Sequence, residues 1–273
     1  MPERDPPRAL RPYGVAPDLY DLIYGGQTAD VEFYVARARA GAPAGGGSGP
    51  VLEVACGNGR VLVPTRAAGV DVDGLDADLA MLDDARRRLD AQGLKARLAQ
   101  ADMRDFTLPR RYDLITIPFN TFCHNLTQAD QLATLRCCRE HLEGGGALVF
   151  DVFFPDPVRL GEHDGTPRVA IEHPHPAGAG RVRVLDAVTS DPVEQVLHAR
   201  RTVEIVGEDG RITATHLIEW DLRWVWKAEM ELLLAAAGFQ RREVEGRTGA
   251  REGFARKDRP DASGSLLWTA WKD

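Results

Sequence analysis

The sequence is poor in cysteine and has no long apolar run. Only four of the 273 residues are cysteine, and they show neither the C-x-x-C spacing of a metal or redox site nor a disulfide-like framework. No window approaches the ~18 uninterrupted apolar residues that a membrane-spanning helix needs. The opening segment MPERDPPRALRP lacks the apolar stretch of a signal peptide. We therefore expect a cytoplasmic protein with reduced thiols, no metal site and no membrane contact.

Positive charge is also in short supply. The 34 lysines and arginines are outnumbered by 41 aspartates and glutamates, which gives a net charge of −7. Nucleic acids and anionic lipids require dense basic patches, so this balance argues against a nucleic-acid partner. Aromatic residues make up only 7% of the chain, but the hydrophobic fraction of 44% supports a sizeable core and excludes wholesale disorder.

Strand-like and helix-like segments alternate from Pro50 onwards. The strand-like runs are VLEVA, VDVDGLDA, ARLAQADM, YDLITIPF and ALVFDVFF. Amphipathic segments separate them, and the last of these, QADQLATLRCCREHLEGGG, is expected to stop at its three glycines. Alternation of this kind predicts an α/β fold with a doubly wound, mostly parallel sheet of Rossmann-like type. Two later runs, REVEGR and SLLWTAW, bring the predicted sheet to seven strands.

Composition and pattern divide the chain into four parts. We predict an N-terminal helical cap and flexible linker (1–49), a cofactor-binding core (50–155), an antiparallel β insertion that acts as a substrate lid (156–222) and a C-terminal completion of the core (223–273). In the cap, Thr28 is a candidate helix N-cap.

The insertion is predicted from short strand-like runs without a long helical pattern. They are VRVLDAV, EQVLHARRTVEIV and RITATHLIEW. At its exit, the spacing of Trp220, Trp224 and Trp226 predicts that all three lie on one side of a strand, either as core or as an aromatic wall for the substrate.

The most informative segment is Glu53-Val54-Ala55-Cys56-Gly57-Asn58-Gly59-Arg60, where a strand turns into a helix. Gly57 and Gly59 let the backbone bend sharply, and the following helix offers free N–H groups to a ligand, although a tight turn alone would need the same residues. Asp76 at the end of the second strand can accept hydrogen bonds from ribose hydroxyls. Leu62 stands where a dinucleotide motif requires a small residue, which favours a different adenosine cofactor over NAD.

With the motifs LEVACGNGR, GLDADLAML, QADMRDF and YDLITIPFNTFCHN in this order, the chain resembles the class I S-adenosylmethionine-dependent methyltransferases. The stretches YDLIYGG, VACGNG, ADMRDF and FNTFCHN are similar to small-molecule N-methyltransferases that act on amino sugars. The resemblance implies S-adenosyl-L-methionine as cofactor and a small molecule as methyl acceptor.

The resemblance also implies roles for individual residues. Glu53 would orient the glycine turn, and Asp76 would bind the ribose. Asp102 would accept the adenine amino hydrogen, and Met103 would cap the ring through its backbone N–H. The remaining implied cofactor contacts are Ala55 and Gly57 at the methionyl part, Ala77 and Met81 beside the adenine, Pro118 near the sulfonium, and Tyr13, Tyr20 and Tyr24 closing over the cofactor. Ala55 departs from the family, where glycine is common.

His124 is our candidate catalytic base, because it follows the fourth strand and an unperturbed imidazole titrates near ~6.5. Positioning of the substrate is the alternative role. Methylation of RNA or another macromolecule, nicotinamide-dependent oxidation and non-catalytic binding are alternative functions. The choice of amine or hydroxyl as acceptor stays open, and so does the oligomeric state, for which a homodimer is one option.

Overall fold

The computed structural model describes residues 15–41, 49–178, 180–247, 256–257 and 264–273. Tyr13 and most of the predicted linker lie outside the described residues. The cap consists of two helices, α1 (Pro17–Tyr24) and α2 (Ala29–Ala40). Thr28 occupies the N-cap position of α2 as predicted, although its side chain makes no capping hydrogen bond.

In the described residues, the main sheet contains eight strands in two groups. Five are parallel and are connected by helices, except that a loop joins the third to the fourth: β1 (Val51–Val54), β2 (Val72–Asp76), β3 (Leu98–Gln100), β4 (Tyr112–Ile117) and β5 (Leu142–Phe153). Every residue of β1 is buried, as are all but one in β4, because helices cover both faces of a parallel sheet.

A second, antiparallel sheet follows in the chain. It is formed by β6 (Arg168–Pro174), β7 (Arg181–Asp191), β8 (Val196–Val206) and β9 (Ile212–Arg223), in that spatial order. The sequence predicted only the last three. The first was missed because it is an edge strand whose residues are mostly exposed, so it lacks an alternating pattern.

The chain then returns to the main sheet. Its remaining strands are β10 (Arg241–Arg247), the two-residue β11 (Arg256–Lys257) and β12 (Ser265–Trp271). The full order is β3-β2-β1-β4-β5-β12-β10-β11, and β12 runs antiparallel to both of its neighbours. The predicted doubly wound, mostly parallel sheet with an antiparallel insertion is therefore confirmed, and β11 adds a short eighth strand.

Six further helices follow the cap in the described part of the chain. They are α3 (Leu62–Ala67), α4 (Leu79–Ala91), a 3-10 helix (Thr121–His124), α5 (Gln128–His141), α6 (Pro157–Gly161) and α7 (Lys227–Ala236). The Asp78 carboxylate caps α4 by accepting from the Ala80 N–H at 2.8 Å. Among the described residues, no helix is long and apolar enough to span a membrane.

Two details of the sequence prediction were wrong. Helix α5 ends at His141, before the three glycines, because these already belong to β5, where the Gly145 N–H donates to the Lys272 carbonyl. The three tryptophans do not share one face of a strand, because β9 ends at Arg223. Trp224 is a core residue that is 2% exposed, and Trp226 is 40% exposed.

One hydrophobic cluster joins the cap to the antiparallel sheet. Ile23 and Tyr24 of α1 pack against Val182 and Val184 of β7 and Val203 of β8. This packing places α1 against the antiparallel sheet.

Candidate active site

A cavity of about 470 Å³ lies at the carboxyl ends of β1, β2 and β4. This is the point where the strand order reverses, because the chain runs from β1 outward to β3 and then crosses back to β4. Every predicted cofactor residue within the described part of the chain lines the cavity: Tyr20, Tyr24, Glu53, Ala55, Gly57, Asp76, Ala77, Met81, Asp102, Met103 and Pro118. His124 lines it as well.

The turn after β1 takes left-handed backbone conformations at three positions. The φ angles are +56° at Ala55, +54° at Gly57 and +83° at Gly59. A Cβ atom on Gly59 would come within 2.8 Å of Val63 Cγ2, whereas one on Gly57 would meet open space. Ala55 is the unfavourable residue here, since a left-handed alanine costs about 1–2 kcal/mol relative to right-handed backbone. Such strain is typical of functional sites.

Asp76 joins the glycine turn to the end of β2. Its Oδ2 accepts from the Gly57 N–H at 2.7 Å, and its Oδ1 accepts from the Asp78 N–H at 2.9 Å. Burial raises the pKa of this carboxyl, while the two backbone N–H groups oppose the shift. A carboxylate offers about four acceptor sites, so each oxygen could still accept from a hydroxyl group.

Glu53 lines the cavity and is 3% exposed. Burial raises its pKa to about 8, against the attraction of Arg60, and its carboxyl hydrogen-bonds the Leu62 backbone at the start of α3. The side chain therefore braces the glycine turn and holds a proton at neutral pH.

Polar contacts tie the cap to the glycine turn. Arg60 forms a bidentate ion pair with Asp30 of the cap, at 2.8 and 2.6 Å. Asn58 donates to Asp21 of α1 at 2.9 Å, and Arg88 of α4 pairs with the same carboxylate. These contacts hold the two cap helices against the turn and α4, beside the cavity.

Aromatic side chains form the cavity wall near the end of β4. The rings of Tyr20 and Tyr24 are 4.8 Å apart, and Tyr24 meets Phe119 edge-on at 5.1 Å. The Arg60 guanidinium lies 4.5 Å from the centre of the Phe119 ring. Burial raises the pKa of Tyr20 to about 12, so its hydroxyl keeps its proton at neutral pH.

Sequence reasoning missed Asp151, which fixes the loop after β4. Its carboxylate accepts from the N–H groups of Phe119 and Asn120, both at 2.8 Å, and from the Tyr34 hydroxyl at 2.5 Å. Phe119 and Asn120 are both left-handed, with φ of +66° and +56°. The available signal was a carboxylate inside the apolar strand ALVFDVFF, a placement that requires a compensating set of donors.

The predicted adenine side of the cavity contains Asp102 and Met103. Both oxygens of Asp102 accept from the Arg104 guanidinium, at 2.8 and 2.6 Å, and Arg104 also pairs with Asp130 at 3.3 Å. The Asn125 amide donates to the Met103 sulfur at 3.3 Å. This side is therefore built from residues whose orientation is already fixed by the protein.

His124 ends the 3-10 helix that follows β4. Burial lowers its pKa to about 4, although the nearby charge of Asp221 opposes the shift. The imidazole is therefore neutral at physiological pH and can accept a hydrogen bond.

Strand β9 supplies the remaining wall of the cavity, which the sequence did not identify apart from Trp220. Glu219, Trp220, Asp221 and Leu222 all line it. Glu219 pairs with Arg200 of β8 at 2.9 Å, and Asp221 with His198 of β8 at 2.8 Å. The antiparallel sheet thus contributes acidic and aromatic side chains to the cavity.

Comparison with known proteins supplies the family. A profile for the methyltransferase domain matches residues 51–146. The chain is 32% identical over 187 residues to the dTDP-3-amino-3,6-dideoxy-alpha-D-glucopyranose N,N-dimethyltransferase of Streptomyces fradiae, and the alignment covers 63% of this chain and 69% of that protein. This chain belongs to the S-adenosylmethionine-dependent methyltransferases.

Two further similarities extend over most of this methyltransferase. The dTDP-3-amino-3,4,6-trideoxy-alpha-D-glucopyranose N,N-dimethyltransferase of Streptomyces venezuelae is 29% identical over 86% of this chain and 94% of that protein. The structure of S-adenosylmethionine-bound CalS10, an amino pentose methyltransferase from Micromonospora echinaspora, is 25% identical and covers 91% of this chain and 93% of that one, with a TM-score of 0.65. The predicted family and cofactor are confirmed, and the nicotinamide alternative is set aside.

Proposed function

We propose that this methyltransferase acts on an amino group of a small, sugar-like molecule. The observation that carries the proposal is the charge of the cavity. In the described part of the chain, its lining contains, besides the protonated Glu53, five carboxylates, Asp76, Asp78, Asp102, Glu219 and Asp221, but only two arginines, Arg60 and Arg104. Both arginines are paired with carboxylates. An acidic cavity attracts a cationic cofactor and the amine end of an acceptor.

The residues present fit the cofactor. The cavity volume of about 470 Å³ is appropriate, because ligand cavities usually measure about 300–1,000 Å³. Open space at Gly57 leaves room beside the turn backbone, and the Asp76 oxygens keep acceptor capacity for ribose hydroxyls. S-adenosylmethionine supplies an activated methyl group on a positively charged sulfur. Under this proposal Glu53, Ala55 and Gly57 hold its methionyl part, Asp76 its ribose, and Ala77, Met81, Asp102 and Met103 its adenine, while Pro118, Tyr20 and Tyr24 flank the sulfur.

His124 fits positioning of the amine better than proton removal. A conjugate acid with a pKa of about 4 is too strong for the neutral imidazole to take a proton from an alkylammonium group. The neutral ring can instead accept a hydrogen bond from an amine N–H and so orient the nitrogen lone pair, since alignment is worth ~7–11 kcal/mol in well-ordered reactions. The acidic wall at Asp221 and Glu219 would hold the positive charge that develops on the nitrogen.

A direct assay tests the acceptor class. Purified protein and S-adenosylmethionine are incubated with a dTDP-linked 3-amino sugar, with the matching sugar that carries a hydroxyl in place of the amine, and with a short peptide with a free N-terminus. We expect mass spectrometry to show methylation of the amino sugar alone. Methylation of the hydroxyl sugar, or of the peptide in preference to the sugar, would refute the proposal.

Cytoplasmic location, the homodimer option and the absence of nucleic-acid partners stay predictions from the sequence. A gel shift with total RNA at low and high salt would check the last of these, because electrostatic RNA binding weakens as salt increases.

A further inference from the structure

Arg201 of β8 connects the antiparallel sheet to the cap. It is 7% exposed. Its guanidinium forms a bidentate pair with Asp186 of β7, at 2.7 and 2.6 Å, and its third donor nitrogen hydrogen-bonds the Tyr24 hydroxyl of α1. The same guanidinium lies 4.9 Å from the Trp220 ring centre and 5.5 Å from that of Tyr24. One side chain therefore contacts the cap and two strands flanking β8.

Arg201 does not itself line the cavity, but two of its partners do. Tyr24 lines it from the cap, and Trp220 lines it from β9. Tyr24 in turn packs edge-on against Phe119, which lies in the strained loop after β4. These aromatic walls are thus in contact with a partly buried ion pair of the antiparallel sheet.

We propose that Arg201 is a positioning residue for methyl transfer. It holds the rings of Tyr24 and Trp220 in place, so that the antiparallel sheet determines the shape of the cavity on the side where the cofactor binds. Planar guanidinium geometry is needed for this task, because the group must pair with a carboxylate, donate to a phenol and stack on two rings at once. A lysine would keep the charge but satisfy only part of these contacts.

The chain offers a matched control in the same sheet. Arg183 of β7 pairs with Glu204 of β8 at 2.7 Å, and these residues are directly opposite in the strand register, as Asp186 and Arg201 are. Neither Arg183 nor Glu204 lines the cavity. Loss of the Arg183 pair therefore tests what an ion pair between these two strands contributes to the sheet alone.

The experiment measures S-adenosylhomocysteine binding by isothermal titration, together with thermal unfolding. The variants are Arg201→Met, Arg201→Lys, Arg183→Met, Tyr24→Phe and the double variant of Arg201→Met with Tyr24→Phe. We expect Arg201→Met to weaken binding about tenfold, Arg201→Lys to recover part of that loss, and Arg183→Met to change binding less than twofold. Tyr24→Phe should add little further loss in the Arg201→Met background, because residues in direct contact are not additive.

Two results would overturn the proposal. One is an equal loss of affinity in Arg183→Met and Arg201→Met at matched unfolding temperatures. The other is a loss of affinity in the double variant that equals the product of the fold-losses in Arg201→Met and Tyr24→Phe. If Arg201→Met does not fold, the same cycle is completed with Arg201→Lys. The readout involves no methyl acceptor, so it stands apart from the assay of the acceptor class.

Discussion

Replacement of Asp151 by asparagine tests how the protein holds the end of β4. The carboxylate receives three donors, the N–H groups of Phe119 and Asn120 and the Tyr34 hydroxyl, at 2.5–2.8 Å. An asparagine keeps one acceptor oxygen and turns its NH₂ group toward at least one of these donors. A hydrogen bond to a charged group contributes about 1.5–3 kcal/mol, and removal of a buried charge offsets part of that loss. We expect Asp151→Asn to lower the free energy of unfolding by roughly 2 kcal/mol.

The effect on turnover should be larger than the effect on stability suggests. Without both N–H bonds, the left-handed conformations of Phe119 and Asn120 lose their support, and the loop relaxes at the point where we place the transferred methyl group. A displacement of about 1 Å can cost about 100-fold in rate. We therefore expect kcat/KM to fall by about that factor, measured by mass spectrometry, while urea unfolding reports the stability.

Asp73 provides the control for this experiment. It is 5% exposed, and it accepts from the Tyr112 hydroxyl at 3.1 Å and from Arg110 at 3.3 Å, but it does not line the cavity. Asp73→Asn should reduce stability by a similar amount and leave kcat/KM unchanged. If the two variants lose activity to the same extent, general destabilisation explains the loss and the role that we give to Asp151 is wrong.

Three further predictions concern the cavity. Asp76→Ala should weaken S-adenosylhomocysteine binding by ~1–3 kcal/mol in calorimetry, because ribose hydroxyls lose their acceptor, and unchanged affinity would place the ribose elsewhere. The folded-state pKa of Glu53 is raised to about 8, so this group binds its proton more tightly in the folded state than in the unfolded state. Its contribution to stability therefore falls as pH rises from about 4.3 to 8. Glu53→Gln should reduce this dependence of the free energy of unfolding on pH, measured by urea titrations. The pKa of His124 is lowered to about 4, so its contribution to stability is lost as pH falls from about 6.5 to 4. Between pH 6 and 8, the pH profile of kcat/KM should therefore show no limb that depends on His124. A limb near pH 6.5 that disappears in His124→Ala would contradict the neutral positioning role.

Sequence reasoning reached residues that line the cavity where their signals are local. Gly57 and Gly59 lie in one short turn, and Asp76 marks the end of the next strand, so parallel-sheet geometry alone brings them together. They lie together as predicted, and the Asp76→Ala variant tests the role of the carboxylate in binding.

The missed residues act over long separations in the chain. Asp151 holds a residue 32 positions away, and Arg201 reaches Tyr24 across 177 positions. No periodicity in the sequence reports which buried carboxylate meets which backbone N–H, or that β9 faces the 3-10 helix. The exposed edge strand β6 was missed for the opposite reason, because it buries too little to show a pattern.

The link between Arg201 and Tyr24 has a consequence for attempts to exchange substrate specificity between related enzymes. A chimera that grafts only a foreign antiparallel sheet onto this core would leave Tyr24 facing a new residue in place of its guanidinium partner. Because α1 precedes the core and the sheet follows it, the two must be transplanted together although most of the core lies between them in the gene. A graft that includes both segments should keep its affinity for S-adenosylmethionine. The graft of the sheet alone should lose this affinity before any change of methyl acceptor can be observed.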